Sequence, residues 1–354
     1  MTAPSELPRY DPRQTYDWNY EHAPEPVDVA VPQVTGRWQF CGRPIASPLG
    51  VAAGPLLNGR WLRYYAALGF EVLTYKTVRS IARPCYPLPN LQPVECGQLA
   101  GGENALPTCA TMQGSWAVSF GMPSQPPDVW RADIQRARQA LPSGKVLSVS
   151  VVGTDRPGFA IEDLADDYAQ CAGWAVESGA DVIETNFSCP NVSTCDGQLY
   201  QNPRDAALVA SKVRAAIGRV PLAIKVGYLQ RDEDGFALIE AISPIADALV
   251  MTNSVATRVH DKQDRELFGG ELRGICGAGI REASLAQVAR FRRLIERSGA
   301  ELELVGVGGI ATAEDVRRYL VAGAGSVQIA TACMVDPLVA CRIREGLASP
   351  MQTA

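Results

Sequence analysis

The sequence predicts an α/β fold: a (β/α)8 barrel of the TIM-barrel kind, preceded by an extended N-terminal arm. Eight short runs rich in β-branched residues each precede an amphipathic stretch, the pattern of a closed parallel sheet covered by helices. Two connections, residues 79–125 and 255–283, are far longer than plain loops and follow predicted strands. In a barrel both emerge at the C-terminal face, where sites are built.

Residues 1–35 differ in composition from the rest of the chain. They contain six prolines, at 4, 8, 12, 24, 26 and 32, and proline at this density blocks both helices and sheet ladders. We therefore expect an extended arm over residues 1–35 that covers the body or a partner, with disorder as the alternative. The barrel is predicted to occupy residues 36–350.

The predicted elements alternate along the barrel region. The strands are predicted at 49–53, 72–78, 147–152, 181–188, 222–228, 248–254, 303–310 and 326–332. The helices are predicted near 59–69, 126–141, 161–179, 205–218, 234–245, 284–298, 312–323 and 337–347. Thr312 and Asp315 have the spacing of a capping box, and Gly323 is placed to end that helix. An open doubly wound sheet is the alternative, but no Gly-x-Gly-x-x-Gly follows the first strand.

Composition excludes several classes of protein. Lys+Arg 33 against Asp+Glu 38 gives a net charge of −5, which provides no general basic field for a nucleic acid. No apolar run approaches the roughly 18 residues of a membrane helix. Ten cysteines without a Cys-x-x-Cys pair indicate reduced thiols rather than a disulfide or metal framework. We expect a cytoplasmic protein with no membrane span, no nucleic-acid partner and no metal.

Glycine-containing motifs end the last two predicted strands. Gly308 and Gly309 follow the seventh strand, and Ala330 and Thr331 follow the eighth. Loops at these places in barrels often bind a phosphate through backbone N–H groups, and glycine lets the backbone approach the anion. A second glycine cluster around Gly277 offers another close approach. The alternative is that these glycines only turn the chain.

A polar segment follows the fourth predicted strand, in the order Glu184-Thr-Asn186-Phe-Ser-Cys189-Pro-Asn191. Asn supplies a donor and an acceptor together, which suits recognition of ring amides and carbonyls. Cys189 is a base or nucleophile if nearby positive charge lowers its pKa, and a structural cysteine otherwise. The chain has only two histidines, His22 and His260, so acid–base chemistry falls to other residue types.

Two lysines lie inside predicted strands, Lys76 in the second and Lys225 in the fifth. Lysine in an apolar strand is costly unless its ammonium meets a partner or a polar cavity. Snorkelling outward from a strand end is the alternative. Beside a predicted phosphate site, the two lysines favour an anionic cofactor or substrate. Asn253 adds a carboxamide at another strand end.

Taken together, these segments resemble the dihydroorotate dehydrogenase family, barrel flavoproteins that bind FMN noncovalently. The resemblance spans most of residues 45–345. Its anchors are residues 47–54, the Lys76 strand, the Asn186–Asn191 segment, the Lys225 strand, Asn253 with Ser254, the glycine cluster, Gly308 with Gly309, and Ala330 with Thr331. Members with a Ser base are membrane-associated and those with a Cys base are soluble, so Cys189 resembles the soluble class. The related flavin domain of dihydropyrimidine dehydrogenases also uses Cys here.

The resemblance implies a mechanism and a set of site residues. Cys189 would take the proton from the carbon α to a ring carbonyl, while hydride passes from the neighbouring carbon to flavin N5. Lys225 would stabilise negative charge on the reduced flavin. The implied cofactor residues are Ala52, Ala53, Gly54, Lys76, Thr77, Asn186, Lys225, Ser254, Gly277, Gly308, Gly309, Ala330 and Thr331. The implied substrate residues are Lys76, Ser119, Phe120, Gly121, Met122, Asn186, Asn191 and Asn253.

The predicted substrate loop departs from the family pattern. Relatives have Asn-x-x-Gly-x-x-Asn, and this chain has Val118-Ser-Phe-Gly121-Met-Pro-Ser124, which replaces both carboxamides. A lost amide partner for a buried polar group costs roughly 1–3 kcal/mol. We expect either weaker binding of dihydroorotate or a different cyclic amide or unsaturated acid as substrate. The alternative is that Gln113 supplies the missing amide.

Two hypotheses from other classes remain open at this stage, a flavin-free barrel lyase or isomerase and a nonenzymatic flavin-binding subunit. No NAD fingerprint or iron–sulfur cysteine set is present in the sequence, so electron transfer to NAD would require a separate partner chain. The resemblance to soluble relatives further implies a homodimer.

Overall fold

A computed structural model describes residues 7–188 and 198–348. The strands, in chain order, are β1 (Trp38–Phe40), β2 (Arg43–Ile45), β3 (Leu49–Val51), β4 (Val72–Val78), β5 (Leu91–Pro93), β6 (Ala105–Pro107), β7 (Ser115–Val118), β8 (Val146–Val151), β9 (Val182–Asn186), β10 (Leu222–Lys225), β11 (Ala248–Met251), β12 (Val255–His260), β13 (Arg273–Gly277), β14 (Glu303–Val307) and β15 (Ser326–Ile329). The helices are α1 (Tyr16–Glu21), α2 (Gly59–Ala67), α3 (Pro127–Ala140), α4 (Ile161–Glu177), α5 (Pro203–Ile217), α6 (Asp232–Ile242), α7 (Arg281–Ser298), α8 (Ala313–Val321), α9 (Thr331–Val335) and α10 (Val339–Ala348).

Eight of these strands close into a parallel barrel, which confirms the predicted fold class. The order around the ring is β3, β4, β8, β9, β10, β11, β14 and β15, and β15 pairs with β3 to close it. All eight predicted strands are present. Several end earlier than predicted, because backbone pairing with the neighbouring strands stops where the polar residues at the strand ends begin. The predicted capping box is also present, since Thr312 Oγ1 accepts from Asp315 N over 3.1 Å.

A short antiparallel hairpin, β1 paired with β2, closes the N-terminal end of the barrel. Phe40, Cys41 and Ile45 from this hairpin join one apolar cluster with inward-facing barrel residues such as Val72 and Val182. This packing keeps water from that end of the barrel, so the open end is the C-terminal one. The sequence pattern did not predict the hairpin.

The two long connections form a second sheet at the C-terminal end of the barrel. Its strand order is β5-β7-β13-β12-β6, with β7 and β13 antiparallel and β6 parallel to β12. One of its faces packs on a separate apolar cluster that includes Ala117, Val255 and Ile275. The long connections were predicted to build the site region, but their pairing into one sheet was not.

The N-terminal arm packs along α2 of the barrel. Tyr64 donates from its hydroxyl to Pro8 O over 2.6 Å, and Trp61 Nε1 donates to Asn19 O over 2.9 Å. The expectation of an entirely extended arm is wrong for α1. That helix lies between Pro12 and Pro24, where no proline interrupts it, and Thr15 Oγ1 caps it by accepting from Trp18 N.

A buried ionic cluster joins both ends of the described chain at the N-terminal rim of the barrel. The Arg344 guanidinium of α10 donates to Glu71 Oε1 over 2.8 Å and to Pro32 O of the arm over 2.5 Å. Lys145 Nζ contacts the other oxygen of the same carboxylate over 3.0 Å. Arg344 is 1% exposed and Glu71 is 3% exposed, so these charges are compensated by pairing rather than by solvent.

Among residues 7–188 and 198–348, no helix is both long and apolar enough to cross a bilayer. In the same part of the chain, no three His, Cys, Asp or Glu side chains are grouped as a metal site requires. The eight cysteines described there are all free thiols.

Candidate active site

A cavity of about 300 Å³ opens beside the C-terminal ends of β14 and β15. Its wall contains the predicted substrate residue Asn253 and all five predicted cofactor residues from the glycine motifs. These five are Gly277, Gly308, Gly309, Ala330 and Thr331. The volume is at the lower end of the range for small-molecule pockets, roughly 300–1,000 Å³. The structure therefore brings this part of the predicted site together.

The backbone around the cavity requires glycine. Gly308 has φ of 132° and Gly309 has φ of 67°, conformations that residues with a Cβ rarely adopt. A Cβ on Gly309 would also lie 2.6 Å from Arg281 Cβ. At Gly54, by contrast, a Cβ would meet no atom within 4 Å, so this predicted cofactor residue borders open space. These features fit a bound group that the backbone approaches closely.

Polar and charged side chains on the cavity wall were missed by sequence reasoning. Gln328 donates from Nε2 to Thr74 Oγ1 over 3.1 Å, while its buried Oε1 has no hydrogen-bond partner among the described residues. Arg281 and Arg342 also line the cavity and provide cationic groups. Arg281 follows the glycine cluster at the start of α7, and that position was the available signal for it.

Lys76 lies on the side of β4 that faces the barrel interior, and it is 8% exposed. Its Nζ is 5.0 Å from the centre of the Phe120 ring and 5.8 Å from that of Tyr16 in the arm. An ammonium over aromatic faces is stabilised by the ring quadrupole, so both rings help hold this charge in place. Cys85 lies near the same ammonium, but burial raises the pKa of its thiol to about 11. Cys85 is therefore protonated near neutral pH.

Asn186 ends β9 and joins two other predicted site residues. Its Nδ2 lies 3.5 Å from Thr77 Oγ1 of β4 and 3.8 Å from the Met122 sulfur of the substrate loop. Thr77 Oγ1 in turn shares a hydrogen bond of 3.0 Å with Ser150 Oγ. The side chains predicted to bind cofactor and substrate therefore meet at the ends of β4, β8 and β9.

Ser188 is the last described residue before the segment that contains Cys189 and Asn191. Those two predicted site residues lie outside the described residues. Asn186 Oδ1 accepts from Ser188 N over 3.2 Å, and Asn253 Nδ2 donates to Ser188 O. Two carboxamides from different strands thus hold the backbone at the start of this segment.

The substrate loop, residues 118–124, has a backbone that is fixed by its surroundings. Gly121 and Met122 have φ of 73° and 51°, and a Cβ on Gly121 would lie 2.5 Å from the Tyr86 ring. Arg79, which is fully buried and was not predicted, donates from Nε to Met122 O over 3.2 Å. Arg79 therefore supports the loop from below.

The polar side chains of this loop have protein partners. Ser124 Oγ accepts from Arg79 N over 3.1 Å and donates to Gln125 O. Ser119 Oγ accepts from Arg273 Nε over 3.0 Å. Val118 pairs with Gly274 of β13 and packs on the main apolar cluster, so the edge of the loop at Val118 is apolar.

Lys225 ends β10 and is 4% exposed, so it does not snorkel to solvent. It pairs in register with Asn186 of β9 and Val250 of β11, which places it at the same end of the barrel as the cavity. Of the remaining predicted cofactor residues, Ala52 and Ser254 are buried there and Ala53 is half-buried.

A closed parallel barrel with lysines, carboxamides and a glycine-walled cavity at its strand ends defines a class, the barrel enzymes that act at their C-terminal face. Within that class, the chain belongs to the dihydroorotate dehydrogenase family, whose sequence profile it matches over residues 37–351. It is accordingly an oxidoreductase that acts on CH–CH groups.

Individual relatives agree with this assignment. The chain is 33% identical over 365 residues to the dihydroorotate dehydrogenase of Dictyostelium discoideum, covering 96% of this chain and 97% of that protein. It is 31% identical over 185 residues to the catalytic subunit of dihydroorotate dehydrogenase B (NAD(+)) of Solidesulfovibrio magneticus, covering 52% of this chain and 58% of that protein. The crystal structure of Eimeria tenella DHODH in complex with ferulenol shares the fold, with a TM-score of 0.71, 18% identity and coverage of 88% and 83%.

Proposed function

We propose that this protein is an FMN-dependent dehydrogenase of dihydroorotate or of a closely related cyclic amide. The observation that carries the proposal is the common location of two features at one barrel end. The glycine-walled cavity opens at the ends of β14 and β15, and Lys76, Asn186 and Lys225 lie at the strand ends of the same face. FMN, when bound, would supply the hydride acceptor.

Each part of the chain has a defined task in this proposal. Backbone groups of Gly308, Gly309, Ala330 and Thr331 would hold the phosphate, with Arg281 as a nearby cation. Lys76 and Lys225 would hold the ring, and their burial keeps both ammonium groups from solvent. The absence of a dinucleotide-binding glycine motif in the sequence favours FMN over FAD.

Cys189 would act as the base that removes a proton from the substrate. Asn186 and Asn253 hold the preceding residue, Ser188, and so position the start of the segment that carries the thiol. Asn191 and the same two carboxamides would bind the ring and its carboxylate. Phe120, Gly121 and Met122 would form the opposite wall, with Ser119 supporting the loop through Arg273.

A specific observation favours a related substrate over dihydroorotate itself. Val118 presents an apolar side chain where the family has a carboxamide, and the Ser124 hydroxyl is already hydrogen-bonded within the loop. A substrate with a less polar edge would lose no hydrogen bond at these two positions. A dihydropyrimidine or an unsaturated ring acid is therefore the second candidate.

Cellular context is part of the proposal. We propose a cytoplasmic homodimer with no nucleic-acid or membrane partner, and a separate acceptor or partner chain that removes the electrons. The free thiols of the described region fit a reducing compartment. The Solidesulfovibrio relative is named as the catalytic subunit of a dihydroorotate dehydrogenase B (NAD(+)), which supports a separate partner chain in the proposal.

The test is anaerobic titration of the purified protein with a panel of dihydropyrimidines and related ring acids. We expect flavin absorbance bands that bleach with one of them, and heat-released cofactor that runs as FMN. Protein without flavin would favour a lyase or isomerase, whereas bound flavin that no panel member bleaches would favour a binding subunit. Cofactor that runs as FAD would overturn the FMN assignment.

A further inference from the structure

Glu184 is a buried acid that the proposed reaction does not use. It lies in β9, two residues before Asn186, and it is 0% exposed. Neither carboxylate oxygen makes a hydrogen bond of ordinary geometry to a described residue. A buried carboxylate that lacks well-formed hydrogen bonds is costly, so this group needs either a compensating cation or a proton.

Lys225 is the cation that faces Glu184 inside the barrel. In the register between β9 and β10, Glu184 pairs with Ala223 and Asn186 pairs with Lys225, so the lysine lies one interior layer nearer the open end. Burial raises the pKa of the Glu184 carboxyl above its usual range, and the Lys225 ammonium and the Ser150 hydroxyl act in the opposite direction. Among the described residues, Cys41 of the hairpin also interacts electrostatically with Glu184, and burial raises the pKa of this thiol well above its usual value.

The polar surroundings of Glu184 extend to the predicted substrate residues. Ser150 lies directly opposite Glu184 in the register between β8 and β9. Its hydroxyl shares a hydrogen bond with Thr77, which lies beside Asn186. Further buried oxygens in the barrel, on Ser148 and Ser326, also have no partner among the described residues. Polar groups of this kind are usually satisfied by ordered water.

We propose that Glu184 is the positioning residue for Lys225 and a redox-linked proton acceptor. Its carboxylate balances the Lys225 ammonium while the ring held by Lys225 is neutral, and it takes up a proton when that ring becomes anionic. The inference rests on the proposed function, because it requires a ring that gains negative charge beside Lys225. The reason is electrostatic: Lys225 is the ammonium that acts on Glu184, and one ammonium compensates one buried anion better than it compensates two.

The electrons and protons of this step balance. The substrate loses a hydride to the ring and a proton to the base, and a carbon–carbon double bond forms. A ring that accepted this hydride would carry one additional negative charge. Glu184 then gains an O–H bond, with a proton drawn from solvent, and the charge around Lys225 is unchanged. The donor is the substrate of the proposed reaction, so no further reductant is required.

The first test measures the midpoint potential of the FMN-loaded protein against pH, for the wild type, Glu184→Gln and Glu303→Gln. If one proton is taken up per two electrons, the midpoint potential falls by about 30 mV per pH unit, and if two protons are taken up it falls by about 59 mV. The reason is that a tenfold change in a two-electron equilibrium corresponds to about 29.6 mV. We expect the wild type to approach the steeper slope over part of the range and Glu184→Gln to keep the shallower one throughout.

Glu303 provides the matched control. It is also a glutamate whose pKa burial raises, but it is the first residue of β14, at the N-terminal end of the barrel, and its carboxylate accepts from Gly42 N. Glu303→Gln should retain the wild-type slope. Equal slopes in the wild type and in Glu184→Gln would overturn the inference, and so would loss of the steep slope in Glu303→Gln.

A second measurement uses the wild type alone, so it does not require that a variant folds. Infrared difference spectra of the wild type, reduced minus oxidised, should show a new C=O band of a protonated carboxylic acid that shifts in D₂O. The absence of such a band would overturn the inference even though the flavin is reduced. Failure of the proposed function is separately recognisable, because the purified protein would then hold no flavin or would not be reduced by any ring substrate.

Discussion

Asn253, which follows β11, donates a hydrogen bond from its side-chain amide to the backbone carbonyl of Ser188 over 2.5 Å. Asn186 accepts from the N–H of the same serine. The N–H and the carbonyl of Ser188 are therefore held by two carboxamides, one at the end of β9 and one that follows β11, immediately before Cys189. The two asparagines that the sequence assigned to substrate binding also fix the backbone next to the predicted base.

Replacing Asn253 with Ala should weaken substrate binding. The change leaves Ser188 O without its donor and removes an amide from the cavity wall, which costs roughly 1–3 kcal/mol. We expect KM for the reducing substrate to rise about tenfold or more, with FMN still bound. Asn202→Ala is the control, because Asn202 only caps α5. It should lower stability by about 1 kcal/mol and leave KM unchanged.

Cys189→Ala should retain flavin and slow its reduction by substrate at least about a hundredfold, the usual reach of a general base. Cys189→Ser should keep a little activity, with its optimum at higher pH, because a hydroxyl ionises less readily than a thiol. Stopped-flow absorbance under anaerobic conditions measures both. Wild-type reduction rates in Cys189→Ala would assign the base to another residue.

Tyr16→Leu should disturb Lys76 without unfolding the arm. The variant removes one of the two rings that lie within 6 Å of the ammonium, a contact that contributes about 0.5–2 kcal/mol. We expect weaker FMN or substrate binding by a factor of several, measured by fluorescence titration. Tyr16→Phe keeps the ring face and should behave as the wild type. Equal losses in both variants would show that the hydroxyl, rather than the ring, matters.

The variant Val118→Asn tests whether dihydroorotate is the preferred substrate. Gln113, the alternative source of the missing amide, is exposed and precedes β7, whereas Val118 ends that strand. We therefore expect the new amide to strengthen dihydroorotate binding by about 1 kcal/mol or more. Val118→Leu is the control for volume and should give no gain. Weaker binding in Val118→Asn would show that the place is already filled and that the substrate is not altered.

Glu184→Gln should change how stability depends on pH in the flavin-free protein. Burial raises the pKa of this carboxyl in the folded state, so the folded protein binds more protons than the unfolded chain between the two pKa values. The wild type therefore loses stability as the pH rises through that window, and the amide does not. In chemical denaturation, the free energy of unfolding of the variant should therefore increase relative to that of the wild type as the pH rises. A constant difference would contradict this.

The barrel could be predicted because its signal is local. β8, for example, is a run rich in valine, and the amphipathic helix α4 begins ten residues after that strand ends, so both patterns are visible in one stretch of sequence. The second sheet could not, because β6 and β12 contain three and six residues and pair across about 150 positions of sequence. Periodicity says nothing about such pairing.

The site was predictable in part for the same reason. Lys76, Asn186 and Lys225 are polar residues at the ends of apolar strands, and that contrast is visible in the sequence. Arg79 and Tyr16 were missed because their importance arises only from packing: one is buried under the substrate loop, and the other reaches Lys76 from the arm. That Glu184 is buried without a well-formed hydrogen bond likewise becomes visible only when the barrel closes around it.

The shared guanidinium of Arg344 has a consequence for local opening. It links Pro32 and Glu71 to α10, and the contact with Pro32 spans 312 positions of sequence. Neither segment can detach alone without leaving the buried Arg344 charge or the partly buried Pro32 carbonyl without its partner. The arm and α10 should therefore exchange their amide hydrogens as one cooperative unit, with matching opening free energies, despite lying at opposite ends of the polypeptide.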